Sequence, residues 1–324
     1  MQTVIQNARD FLGPLKDAML DFLVFNRRMK HSMRQRAVYR SRLADLAPLP
    51  EPTDCQCEVH MLCGKRDLDM GIWASWSLMR FFAGRSRLFV HSDGSLCDDD
   101  MQQWKSIVRG TVLITTQEAD QAADNALGRQ CPTLLAWRSR NFRRTNTAQV
   151  VDFHLFGNSK RILLMDSDVL CFKDPVEVKL AMENAHLCYR WCQDLLSAYG
   201  APLEVLESVA GAAVPGKLCN GFLLAPRFSL ADFIRLESLV ATIHTRNLMD
   251  FDHYWCTQAY YALMAPTFAD CKPFSEPYSN RLGNAPNEVV LRHYVGIKRV
   301  RYRYFTEGLP RLLASVPSSS KMQE

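Results

Sequence analysis

Two carboxylates, Asp166 and Asp168, follow directly on the apolar run Ile162 to Met165, with only Ser167 between them. Residues two apart share one face of an extended strand, so both can reach one point if the chain stays extended through Ser167. Like charges that close repel each other, and a cation between them removes the conflict. Oxygen ligands suit a hard divalent ion such as Mg²⁺ or Mn²⁺. An ion held by few protein groups keeps room for phosphate oxygens. Asp-Ser-Asp is also good turn chemistry, so a plain solvated turn is the competing reading.

The flanking elements must position this pair. Ile162 to Met165 has the length and continuity of a strand buried on both faces, and Val169 to Phe172 carries the chain away until Lys173-Asp174-Pro175 stops it. Carboxylates at the carboxyl end of such a strand sit where open α/β sheets bind ligands. Upstream, the pattern predicts strands at 58–63, 88–91 and 111–115. Helices are predicted at 71–82, after a cap formed by Ser95 and Asp98, and at 117–127 and 132–144. Residues 148–156 lead into the central strand. Strand alternating with helix predicts a mostly parallel sheet flanked by helices. Downstream, 186–190 reads as a strand, 203–210 as a helix opened by Pro202, 230–245 and 254–264 as helices, 289–294 as a late strand and 306–313 as a last helix. Residues 216–226 form a turn and an apolar strand interrupted by Asn220-Gly221, a sign of a bulge or of close approach by a ligand.

The chain has 324 residues, 48% hydrophobic and 23% charged, as in an ordinary globular protein. Net charge is +5 and unevenly spread. Between Asn26 and Arg42 lie Arg27, Arg28, Lys30, Arg34, Arg36, Arg40 and Arg42 with no acid, and Lys298, Arg299, Arg301 and Arg303 cluster later. Such patches attract phosphates, anionic lipid or nucleic acid, or are simply solvated helix faces. Apart from Tyr39 the first patch lacks the aromatic residues of single-strand platforms, so no nucleic acid is expected. Leu12, Leu15, Met19, Phe22 and Leu23 have helical spacing, and the prolines of 46–52 mark a boundary. We expect a basic helical extension at 1–52, one α/β domain at 53–315 and a loose tail at 316–324. The extension is expected to dock on the domain or to touch a membrane peripherally. Eleven cysteines in no regular frame, without a secretory signal pattern, predict reduced thiols and a cytoplasmic protein.

The order of motifs resembles the GT-A glycosyltransferases, most closely the branch of glycogenin and the bacterial lipopolysaccharide galactosyltransferases. The motifs are L-L-M-D-S-D-V-L at 163–170, C-N-G-F-L-L at 219–224, W-C-T-Q-A-Y-Y-A-L around Gln258, and H-Y-V-G-I-K at 293–298. The resemblance implies a GT-A fold, Rossmann-like and mixed, across roughly residues 57–300. It implies a hexosyltransferase-like enzyme taking a sugar from a nucleotide-sugar donor, UDP-linked, to a hydroxyl of a glycan or glycolipid acceptor, with retention. Asp166, Asp168 and His293 would bind Mn²⁺ (or Mg²⁺), and Asp166 and Lys298 would face the diphosphate. Asn220 would line the sugar side and Gln258 would sit near the anomeric carbon. Gly64, Lys65 and Asp93 would bracket the nucleoside. Two positions depart from the pattern. Thr257 stands where an acidic residue often precedes the glutamine, with Asp252 as a substitute, and Arg299-Val300 replaces Pro-Trp. The rival readings are a sugar nucleotidyltransferase, for which the Gly64-Lys65-Arg66 loop is short, and a basic membrane or nucleic-acid adaptor.

Overall fold

The computed structural model describes residues 25–316 except 54, 56, 83, 141–143, 185 and 296–299. The apolar spacing at 12–23, the tail from 317 on and Lys298 lie outside the described residues. The chain's contacts group it into two units, residues 46–293 and the terminal segments, here 25–45 with 294–316.

The larger unit is built on one sheet. In chain order its elements are β1 (Cys57–Cys63), β2 (Ser86–Ser92), β3 (Val112–Ile114), β4 (Arg161–Met165), β5 (Val169–Cys171), β6 (Cys188–Gln193), β7 (Leu218–Pro226), β8 (Asp270–Pro273) and β9 (Leu291–His293). The terminal unit contributes helix α1 at 25–41. The helices that follow are α2 (Leu68–Met79), α3 (Asp98–Ile107), α4 (Thr116–Leu127), α5 (Pro132–Arg140), α6 (Arg144–Val150), α7 (Asp152–Leu155), α8 (Val176–Glu183), α9 (Leu203–Ala210), α10 (Leu230–Thr245), α11 (Cys256–Met264) and, in the terminal unit, α12 (Leu309–Ser315).

Seven strands pair in the order β3-β2-β1-β4-β7-β6-β8. β3, β2, β1 and β4 are parallel neighbours, β7 runs antiparallel to both β4 and β6, and β8 is parallel to β6. Ile162, Leu163, Leu164 and Met165 are all buried, as a central strand covered on both faces requires. Under one face Trp137, Phe153, Tyr260, Tyr261 and Leu236 join Ile162, Leu164 and Leu223 in a single apolar cluster. β5 leaves the main sheet and pairs antiparallel with β9, which puts Val169 opposite His293.

Two local expectations change. The cap of α3 lies two residues later than Ser95 and Asp98: Asp100 Oδ2 accepts from the Cys97 backbone N–H at 3.0 Å. Ser95 is taken up by Asp93, whose Oδ1 accepts its backbone N–H at 2.9 Å. Residues 148–156, which lead into the central strand as expected, are mostly helical, in α6 and α7. The two aspartates meet through a turn, because the Val169 N–H donates to the Asp166 carbonyl at 3.2 Å and Ser167 does not continue the strand.

In the terminal unit, α1 lies against the segment around 302–305. Arg36 sits over the Phe305 ring, 5.6 Å from its centroid, and Arg28 sits over Tyr302 at the same distance. Tyr294, Tyr304 and Phe305 stack edge to face in sequence. Arg27, Lys30, Arg34 and Arg40 remain exposed, as do Met33 and Val38. Among the described residues no helix is long and apolar enough to cross a membrane.

Candidate functional site

β4 ends at the carboxyl edge of the parallel strands, and the turn after it aims Asp166 and Asp168 the same way. The short β5–β9 pairing then places His293 across from them. Its Nε2 lies 3.0 Å from Asp168 Oδ1 and 3.5 Å from Asp166 Oδ2. One ligand atom from each of the three residues lies within 4.8 Å of the others. Adjacent donors on one small divalent ion at about 2.1 Å sit roughly 3 Å apart, so the cluster has the right scale.

The backbone makes room for it. Residues 220–222 bulge out of register with β6, whose Trp191 pairs with Leu223 and whose Cys192 pairs with Cys219. The Gly221 carbonyl accepts from the Asp166 N–H at 2.8 Å, which ties β7 to the turn. A Cβ at Gly221 would lie 2.6 Å from His293 Nδ1 and 2.8 Å from Asp166 Oδ2. Only glycine fits here, because of close approach and not because of backbone angle.

The donor set fits a divalent ion. Two carboxylates and an imidazole make a mixed oxygen and nitrogen set that suits Mn²⁺ better than Mg²⁺. His293 Nε2 is buried and aimed at both carboxylates without a hydrogen bond of good geometry. Burial alone would push the imidazole pKa down, but the nearby Asp168 carboxylate outweighs it and holds the ring well above its ordinary value. That is the behaviour of a site built to hold positive charge between acids.

A second layer surrounds the cluster, and two of its members carry no sequence signal. Gln149 donates Nε2 to Asp166 Oδ1 at 2.7 Å and accepts from Asn220 Nδ2 through Oε1. Its backbone carbonyl accepts from the Tyr261 hydroxyl at 2.6 Å. Asn220 is therefore joined to the acidic pair through Gln149. Gln258, buried on α11, donates to Asp194 Oδ2 at 3.3 Å, and Asn280 Nδ2 reaches Asp194 Oδ1 at 3.3 Å. Asp194 is thus the carboxylate beside Gln258. Among the described residues no hydrogen bond joins Asp252 to Gln258; Asp252 is exposed, and its N–H donates to Asp250 Oδ1 at 3.0 Å.

Gly64, Lys65 and Asp93 gather at the ends of β1 and β2. The Asp93 N–H donates to the Cys63 carbonyl at 3.2 Å, and the Asp93 carboxylate fills the space that a side chain at Gly64 would need. The Lys65 N–H donates to Ser95 Oγ at 2.8 Å, and its ammonium lies 3.5 Å from Asp100. A small cavity opens nearby, lined by His91, Asp93, Thr116, Asp120 and Arg138 among others. Arg138 is held there by Asp152 at 2.6 Å and Asp120 at 2.8 Å.

This strand order and site can be set beside solved structures. WbbM, a bifunctional glycosyltransferase in its apo form, superposes with a TM-score of 0.55 at 13% identity, over 83% of this chain and 52% of that one. This is the GT-A fold. Mouse xyloside xylosyltransferase 1 matches at TM-score 0.48 and 11% identity, over 73% of this chain and 97% of that one. The galactosyltransferase LgtC, solved with donor and acceptor sugar analogs, matches at 0.48 and 12%, over 81% and 98%. No protein-family profile and no curated protein matches the sequence. Within the GT-A fold, the acidic pair, Gly221 and His293 lie at the carboxyl edge of the sheet, and Gly64 and Asp93 end the two strands beside them.

Proposed function

We propose that the chain is a metal-dependent glycosyltransferase. It moves a sugar, with retention, from a nucleotide-diphosphate sugar, uridine-linked, to a hydroxyl of a glycan or glycolipid. The observation that carries this reading is the meeting of Asp166, Asp168 and His293 on a GT-A sheet. These three residues would hold Mn²⁺, or Mg²⁺ with less favour. When bound, the ion supplies positive charge beside the diphosphate as it departs.

The chain's own groups do the remaining work. Gln149 fixes the Asp166 carboxylate, leaving its second oxygen toward His293. Gly64, Lys65 and Asp93 bracket the nucleoside, with Arg138 behind the neighbouring cavity. By the resemblance of its motif, Lys298 would touch the diphosphate. Asn220 lines the sugar side, and Gln258, its amide nitrogen held by Asp194, sits near the anomeric carbon.

The domain at 53–315 carries this activity in the cytoplasm. The exposed arginines of α1 bring it to anionic lipid at the inner face of a membrane. Vesicle binding that disappears in 0.5 M salt, and is lost on deleting residues 1–45 while donor binding persists, is the expected outcome for that contact.

Purified protein should hydrolyse or transfer from one member of a panel of nucleotide sugars only when Mn²⁺ is present. Asp168→Ala should lower turnover by about 100-fold or more, in line with losing a group that acts on the transition state. Unchanged turnover in that variant removes the metal site from the account. Pyrophosphate release from a nucleoside triphosphate and a sugar phosphate would instead establish a nucleotidyltransferase.

A further inference from the structure

His293 has two ring nitrogens, and only Nε2 faces the carboxylates. Nδ1 lies 3.3 Å from Cys219 Sγ. The same sulfur lies 3.4 Å from Asn280 Nδ2, and that amide is shared with Asp194 Oδ1 at 3.3 Å. Cys219, Asn280 and His293 are exposed by only 2%, 7% and 3%, so water does not substitute freely for any of these contacts. Cys219 and Gly221 are two apart on β7, and both meet the ring: the glycine approaches its Cε1 and Nδ1, and the thiol lies at Nδ1.

A neutral imidazole carries one N–H. A ring that ligates through Nε2 must therefore keep its proton on Nδ1, and a buried N–H needs an acceptor. Histidines that bind metals ordinarily donate this second N–H to a carboxylate or a carbonyl. Among the described residues the acceptor within reach of Nδ1 is the sulfur of Cys219.

We infer that Cys219 is a positioning residue for the metal centre: its sulfur accepts the Nδ1 proton of His293 and so holds the ring in the tautomer whose Nε2 lone pair faces Asp166 and Asp168. The inference rests on the metal reading above. Asn280 braces the sulfur from the other side, and because its amide also meets Asp194, the same brace ends beside Gln258. A thiol that merely fills space beside an imidazole would leave metal affinity unchanged when its sulfur is removed.

The test uses the full chain and Mn²⁺ alone, without nucleotide, with free Mn²⁺ read by electron paramagnetic resonance. Cys219→Ala should weaken Mn²⁺ binding about 10- to 100-fold, the usual effect of losing an outer-shell partner. Cys219→Ser keeps an acceptor and should bind within about threefold of the wild type. In the Mg²⁺-loaded wild type, nitrogen NMR should find the His293 proton on Nδ1. An alanine variant that binds Mn²⁺ like the wild type overturns the inference, as does a serine variant as weak as alanine or a proton found on Nε2. If Cys219→Ala fails to fold, the serine variant and the wild-type spectrum still decide. A wild type that takes up no Mn²⁺ overturns the metal reading and this inference together. Wild-type uptake with an unaffected alanine variant overturns the inference alone.

Discussion

Gly221 matters for what it lacks. Its hydrogen leaves the space in which the His293 ring and the Asp166 carboxylate converge, and a methyl there would meet both. Gly221→Ala is therefore expected to abolish Mn²⁺ uptake and to cut turnover by about 100-fold, because a shifted ligand loses its geometry. Far-ultraviolet circular dichroism should stay native, since β7 tolerates alanine in its backbone. Uptake equal to wild type would show that the ring and carboxylate do not need this gap. Gln149 is the companion case. It serves Asp166 and Asn220 at once, and Gln149→Leu would leave both half-buried groups short of a partner. A fall of roughly tenfold in Mn²⁺ affinity is expected, and an unchanged titration would dismiss the role.

Element by element, β7 joins the parallel half of the sheet through its ladder with β4, and Arg227 adds a side-chain tie at its end. It leaves the end of β7 and pairs with Glu58 of β1, while its other N–H groups donate to the carbonyls of Ser159 at 2.8 Å, His154 at 3.0 Å and Phe156. Glu58 also accepts from the Asn158 and Ser159 N–H groups at 2.7 and 3.0 Å. Gly157, at φ 88°, turns the chain directly over that carboxylate. One ion pair thus holds the exit of α7, the turn before β4 and the start of α10. Arg227→Met keeps the length and removes the charge, stranding Glu58 at 5% exposure. A loss of about 3 kcal/mol is expected in urea unfolding, the usual cost of removing one partner from a buried pair. A wild-type midpoint would show that the turn holds without it.

Taken whole, the larger unit buries histidines that on an ordinary surface would titrate near pH 6.5. His60 stacks on Phe89 at 4.8 Å and shares a hydrogen bond of 3.0 Å with His91. Burial drives its pKa down to about 4, against the pull of Glu58 and with the help of Arg227. Burial also lowers His91 and His154 well below their ordinary value. A neutral histidine in the folded state protonates more readily once unfolded. The stability it protects is complete above about pH 6.5 and is lost as pH falls toward 4. His60 alone implies about 2 kcal/mol less stability at pH 5 than at pH 7. Thermal midpoints across pH 4.5 to 7.5 should fall steadily on the acid side, and a flat profile would contradict the assignment.

Much of this was legible in the chain itself. An apolar run followed by two aspartates specifies a central strand and its acidic end, because burial and charge are local facts of composition. Asn220-Gly221 announced its bulge for the same reason. The tertiary structure alone decided what meets what. His293 reaches the acidic pair through a three-residue strand pairing, Gln149 and Asp194 join the site from segments with no motif around them, and Cys219 joins from within the 219–224 motif, where nothing in the pattern marks the sulfur. The carboxylates converge through a turn that the strand pattern did not require. Short-range patterning sets which residues are buried or capped, whereas contacts between residues far apart in sequence depend on register and crossing, which no local window contains.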